Sequence, residues 1–198
     1  KGVVIQIEQE WEHFLFKKSF LNQQICIGPQ KYEHGIGVHA RSSLLVQLPR
    51  PANRFCAEVG LDDNDLTRAN AKSKIIFSIE AKGEVIWESS PLGLGDRALK
   101  VDIPMNGLKE FYLKVRPVEG NSVRYCHSDW ANASVYYGKD EKEWLDEFTD
   151  KEIFINELPL SFVLDGKSSR EFLSKWNFYS SDSILNDRTI HKIKWTKP

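Results

Sequence analysis

Three short segments gather the side chains able to do chemistry. The first is His34-Gly35-Ile36-Gly37-Val38-His39-Ala40. Two glycines inside an extended stretch leave room for a second backbone or for a ligand. His39 closes the segment either as a ligand contact or as a buried, hydrogen-bonded imidazole. No third glycine and no helix follow, so this is not a dinucleotide-binding loop. The second segment is Val59-Gly60-Leu61-Asp62-Asp63-Asn64-Asp65. Its oxygen-bearing side chains admit three uses. They make turns; Asp62, Asp63 and Asp65 hold a calcium ion, in a spacing that is not an EF-hand; or Asp62, Asp63 and Asn64 hydrogen-bond sugar hydroxyls. The third segment is Tyr125-Cys126-His127-Ser128-Asp129-Trp130-Ala131. A carboxylate beside an indole offers hydroxyls a planar acceptor and the apolar face of a sugar ring an aromatic platform. The alternative is a buried Trp130 inside a local hydrogen-bond network. His127 adjoins Cys126, but adjacency along the chain does not make a thiol–imidazole pair. No spacing among His34, His39, Cys126 and His127 supports a metal site.

Catalytic signatures are missing. There is no G-x-S-x-G elbow, no P-loop and no H-E-x-x-H. Picking two carboxylates for glycosidic chemistry from 28 acidic residues would be arbitrary. Composition narrows the classes further. The 198 residues suit one large domain, or one domain and part of another, and 41% hydrophobic content is enough for a core. A net charge of −1 argues against a nucleic-acid partner. No run of apolar residues exceeds three, which excludes a membrane-spanning helix. No export signal lies in Lys1 to Glu10, so one is expected to have been removed or never present. Three cysteines, Cys26, Cys56 and Cys126, allow at most one disulfide.

The elements that position these segments read as strands. Apolar residues alternate at Leu44, Val46 and Leu48; at Phe55, Ala57 and Val59; at Ile75, Phe77 and Ile79; at Val85 and Trp87; at Leu99, Val101 and Ile103; at Phe111, Leu113 and Val115; and at Val135 and Tyr137. Gly, Pro, Asn or Asp bound each run. Ile79 to Trp87 reads as a hairpin about Lys82-Gly83. Short strands in this number predict a β-sandwich, with a barrel as the alternative. No helical periodicity shows between residues 20 and 137. Residues 139–152 hold seven acidic and three basic residues and read as a solvated connector, with Trp144, Leu145 and Phe148 able to share a helix face. Strand-like runs follow at Ile153 to Ile155 and Leu160 to Leu164. Ser168 and Glu171 then form a capping box for a helix burying Phe172, Leu173 and Trp176. An unfinished alternating run, Ile190 to Trp195, implies a chain that continues beyond Pro198.

Four blocks together carry a resemblance over roughly residues 3 to 137. They are Tyr32 to Ser42 (YEHGIGVHARS), Arg54-Phe55 leading to Val59-Gly60-Leu61-Asp62-Asp63, Gly83 to Ser89, and His127-Ser128-Asp129-Trp130-Ala131-Asn132-Ala133. In order and spacing they resemble the NPCBM family, carbohydrate-binding modules attached to glycoside hydrolases. The resemblance implies a mainly β fold, a galactose-binding-like jelly-roll β-sandwich, over residues 1–138. Residues 139–152 would then be an acidic connector and 153–198 a short C-terminal α+β extension. It also implies a non-catalytic module that binds terminal galactosides, in a secreted or periplasmic protein and without a cofactor. One departure stands out: the stretch before the first block is only Trp11 to Lys31 and has no Trp-Gly pair, leaving Trp11 or Trp130 as the platform. His39, Asp62, Asp63, Asn64, His127 and Asp129 are the candidate hydrogen-bonding residues. Leu158 to Ser169, with Phe172, Leu173 and Trp176, is similar to the segment opening the catalytic part of bacterial α-galactosidase-like hydrolases. That weaker resemblance implies a catalytic domain in the same polypeptide, its carboxylates expected beyond Pro198. A purely structural module packed on that domain, and an enzyme in its own right, are the rival readings.

Overall fold

A computed structural model describes residues 2–70, 72, 74–137, 153–154 and 160–162. The elements are β1 (Val3–Gln9), β2 (Leu15–Phe16), β3 (Ile25–Ile27), β4 (Gln30–Tyr32), β5 (Gly35–His39), β6 (Ser42–Leu61), α1 (Asp65–Asn70), β7 (Ile75–Ala81), β8 (Glu84–Glu88), β9 (Leu99–Pro117), β10 (His127–Tyr136), β11 (Ile153–Phe154) and β12 (Leu160–Phe162). Alternation reads β6 and β9 as four short strands, but each pair of runs is the two arms of one long bent strand. The ladder between them breaks from Gln47 to Arg54. Pro49 and Pro51 lie in that break, where a residue without an N–H costs no ladder bond. On β9 the bend is made by Asn106 (φ 48°) and Gly107 (φ 77°) in left-handed conformations.

The bends divide the strands into two layers. The first arm of β6 pairs with β1 (Val4 opposite Val46) and with the second arm of β9 (Leu44 opposite Leu113), which carries β7 and β8. The second arm of β6 pairs with β10 (Val59 opposite Trp130) and with the first arm of β9 (Phe55 opposite Ile103); β10 carries β5, and β5 carries β2. This is the expected sandwich. The inward-facing residues of both layers form one buried core that includes Leu44, Val46, Phe77, Ile79 and Leu113 from one side and Ile36, Phe55, Val59 and Trp130 from the other. Trp130, 0% exposed, meets Phe77 edge-on at 5.1 Å and Phe55 at 6.3 Å. The β7–β8 hairpin turns at Lys82-Gly83 as expected, both residues with positive φ. A register shift between Ile79 and Glu80 separates Val85 from Trp87: Trp87 packs on the core while Val85 stays exposed.

Gly37 and Gly60 sit on the outer face of the second layer, where the segment 17–32 folds back over the sheet. A Cβ at Gly37 would lie 2.4 Å from the Lys18 carbonyl oxygen and 2.5 Å from the Ser19 carbonyl carbon. A Cβ at Gly60 would lie 2.3 Å from Ile27 Cγ2. Of the two uses open to the glycines of the first segment, close approach by the chain itself is the one found. Ile25, Ile27 and Tyr32 of the β3–β4 hairpin make a second small cluster on Ala131.

The structure adds a helix that periodicity missed. α1 has six residues, too few to show a repeat. Its signal is the cap: Asn64 Oδ1 accepts the Thr67 N–H at 2.9 Å, with Asp65 in the first turn. The tail strands add to both layers, β11 antiparallel to β10 and β12 parallel to β1. The acidic connector 139–152, the helix expected at 168–176 and the final alternating run lie outside the described residues. No helix among the described residues is long and apolar enough to cross a membrane, and no disulfide joins Cys26, Cys56 and Cys126 to one another.

Two substitutions test this packing by urea denaturation. Trp130→Ala should destabilise by about 3–5 kcal/mol, the usual cost of emptying a large aromatic site. Gly37→Ala should cost about 1–3 kcal/mol, because backbone rather than a flexible side chain occupies the space.

Candidate functional site

β5 and β10 run side by side, and their register sets His39 directly opposite His127. Directly opposed residues share a face, so both imidazoles point outward at one end of the second layer. Their ring centroids are 5.5 Å apart. Three further rings surround them. Phe20, carried by the segment that crosses Gly37, stands 5.0 Å from each imidazole. Tyr125 approaches His127 at 6.5 Å. Trp11, 52% exposed, lies 6.1 Å from His39. The Trp11 loop is tied down at several points. Gln6 accepts the Phe14 N–H and donates to the Glu12 carbonyl, Gln9 donates to the Trp11 carbonyl, and the Glu10 N–H donates to the Arg41 carbonyl. The outcome is a shelf with one exposed indole, two half-buried rings and two buried imidazoles as its floor.

Beneath the floor runs a polar network. Asn64 Nδ2 donates to Asp62 Oδ2 at 2.5 Å and faces His127 Nδ1 at 3.0 Å. Thr67 Oγ1 lies 3.1 Å from the same imidazole nitrogen. Asp62 Oδ1 accepts the Cys26 N–H at 3.1 Å, and the Asp62 N–H donates to the His127 carbonyl. Burial holds His127 down to about 4, with the neighbouring His39 adding to it. Burial lowers His39 as well, against the Ala40 carbonyl beside it. Both rings are therefore neutral at neutral pH. Asp129 is 0% exposed, and its register partners on either side are Gly37 and Gly60. Burial and the adjacent Asp62 push its carboxyl well up, so it is the uncharged member of that pair.

These positions sort the sequence candidates. Trp11, His39 and His127 come together on the shelf. Asp62 and Asn64 lie buried under it as its scaffold. Asp63 is turned away, its N–H on the Cys26 carbonyl and its carboxylate 2.9 Å from Arg68. Trp130 and Asp129 are corrections. Trp130 faces the core and has no open face for a ring to stack on, and Asp129 is sealed by the segment that crosses the two glycines. The set Asp62, Asp63 and Asp65 does not fit a calcium ion: Asp62 is spent on internal donors, and Asp63 and Asp65 pair with Arg68. No cluster of His, Cys, Asp and Glu among the described residues is placed to hold a metal. Sequence reasoning missed Phe20, which has no local signature, and Thr67, which the Asn-x-x-Thr cap spacing could have given. A shallow groove of about 320 Å³ lies elsewhere on the outer face, lined by Glu58, Lys100, Asp102 and Asn132 among others. It has no aromatic lining, so the shelf is the better match to a sugar.

Residues 4–136 match the model of the NPCBM/NEW2 domain family. The chain belongs to that family. It is 33% identical over 135 residues to alpha-1,3-galactosidase B of Akkermansia muciniphila, a match covering 65% of this chain and 16% of that protein's length. It thus spans a small part of that relative. Among solved structures, it resembles the CBM51 of Clostridium perfringens GH95 in complex with methyl-galactose, with a TM-score of 0.56 and 20% identity over 68% of this chain and 92% of that one. It also resembles the CBM51-2 and INT domains of Clostridium perfringens ZmpB, in a complex of CBM51-2 with GlcNAc, with a TM-score of 0.58 and 19% identity over 68% of this chain and 29% of that one. These likenesses bear out the galactose-binding-like β-sandwich.

The buried acid gives a pH test. A carboxyl held neutral in the folded state ionises more readily once unfolded, so stability falls as pH rises above the ordinary 3.8. Asp129→Asn keeps the shape of the neutral acid and removes that release. Relative to the variant, the wild type should lose about 1.4 kcal/mol per pH unit from about pH 4 upward, until the folded carboxyl itself ionises. Urea midpoints across pH 4 to 7 read the difference. His127 works in the other direction: its contribution is complete above 6.5 and is lost as pH falls toward about 4.

Proposed function

We propose that this chain is a non-catalytic carbohydrate-binding module that takes a terminal galactoside-type sugar on the Trp11 shelf. The observation that carries the reading is the exposed Trp11 indole beside two neutral imidazoles whose Nε2 atoms make no hydrogen bond to protein among the described residues. An indole face covers the apolar side of a pyranose, and ring nitrogens serve its hydroxyls. Family membership supports the class, and the galactosidase and methyl-galactose named for two similar proteins support the sugar. The parent protein is then a secreted or periplasmic glycoside hydrolase, with 1–138 as the module, 139–152 as a connector and 153–198 leading toward the catalytic domain. The reading needs no cofactor. A shallow site with few polar contacts binds weakly, with dissociation constants of about 1 μM to 1 mM. Its use lies in holding a linked active site near its substrate.

A second reading has its own observation. β11 and β12 are built into the two layers of the sandwich, so residues 153–154 and 160–162 are each hydrogen-bonded to a strand of the module. That favours a structural companion that orients a neighbouring domain.

Calorimetric titration with galactose, methyl galactoside, lactose and GlcNAc separates the two. Saturable binding of a galactoside is expected, abolished in Trp11→Ala with an unchanged thermal midpoint, since that indole is outside the core. Absence of heat with every sugar up to tens of millimolar would leave the structural companion.

A further inference from the structure

On the reading that the shelf binds sugar, we infer that His39 and His127 form a matched acceptor–donor pair that selects a neutral hydroxyl of the ligand. The amide of Asn64 sets the state of the first ring. Its Oδ1 accepts the Thr67 N–H at 2.9 Å, the cap of α1, and this fixes which end of the amide is nitrogen. Nδ2 therefore carries the two hydrogens that point to Asp62 Oδ2 and to His127 Nδ1. A donor aimed at His127 Nδ1 requires a lone pair there. A neutral imidazole has one N–H, so in His127 it sits on Nε2.

His39 is set the other way. Its Nδ1 is 2.5 Å from the Ala40 carbonyl oxygen, which only accepts. Nδ1 must therefore hold the hydrogen, and Nε2 keeps the lone pair. The two tautomers are opposite, although the residues face each other across one ladder position. The floor of the shelf thus offers one donor and one acceptor, and neither is used by the protein among the described residues.

This arrangement discriminates between chemical groups. A hydroxyl both donates and accepts, so one hydroxyl or two adjacent ones satisfy both rings. A carboxylate, a phosphate or an acetamido carbonyl accepts only and leaves His39 Nε2 without a partner. An ammonium donates only and leaves His127 without one. A site built to hydrogen-bond a hydroxyl rejects an analogue that lacks it, because its own polar groups are then buried unpaired. Asn64 is the positioning residue, acting on the ligand only through His127.

The test uses the unmodified protein. Long-range proton–nitrogen correlation of the imidazoles at pH 7 should show Nε2–H in His127 and Nδ1–H in His39. Titration with methyl galactoside and its monodeoxy and monofluoro series should then find one or two positions where either change lowers affinity about tenfold or more. Fluorine removes the donor that His39 needs, and deoxygenation removes both functions. The same tautomer in both rings, with galactoside binding intact, would overturn the pairing alone. Opposite tautomers with no position sensitive to both changes would overturn the selection. Opposite tautomers with no binding of any sugar would overturn the sugar reading and the selection together, leaving the imidazole assignment as a fact of the fold.

Discussion

The backbone of residues 18–20 lies so close over β5 that position 37 has no space for even one carbon beyond the main chain. Gly60 imposes the same condition where Ile27 crosses β6. Much of the site hangs on this contact. It brings Phe20 within reach of both imidazoles, it roofs Asp129, and it seats the β3–β4 hairpin whose Cys26 N–H anchors Asp62. A layer of chain pressed directly onto a sheet buries polar groups that are normally solvated, which is why the carboxyls beneath it depart from their ordinary behaviour.

The site above is therefore held from below. A ligand surface built from long loops would order on binding and lose affinity to that ordering. Here the imidazoles stand on adjacent strands, the tautomer of His127 is fixed by an amide that also caps a helix, and the indole loop is tied to Gln6, Gln9 and Arg41. Little of the floor has to move when a ligand arrives. The exposed indole is the least constrained part, and it presents the broadest and least directional surface.

Legibility in the sequence followed the range of the forces involved. Alternation is local, so the runs at Ile75, Leu99, Phe111 and Val135 announced strands, and Lys82-Gly83 announced its turn. The joining of residues 42–61 into one strand was hidden, because Pro49 and Pro51 look like terminators unless the sheet is known to bend there. His39 and His127 were identifiable as polar residues beside conspicuous glycine and Asp-Trp signals, but their pairing needed the register. Trp130 was the informative ambiguity: beside Asp129 it has the composition of a sugar platform, and only the side of the sheet it faces decides otherwise. Phe20 could not be found at all, since what makes it matter is the missing Cβ of a residue seventeen positions later.

β6 and β9 each serve both layers, and both arms of residues 42–61 pair with residues 99–117. Neither layer has a complete set of strands until the second of these has been synthesised, and the second layer also waits for β10. The core shared by the two layers therefore cannot close until both long strands and β10 are in place. On the ribosome more than a hundred residues separate the first core strand from the last, so closure waits on long loops and is slowed by them.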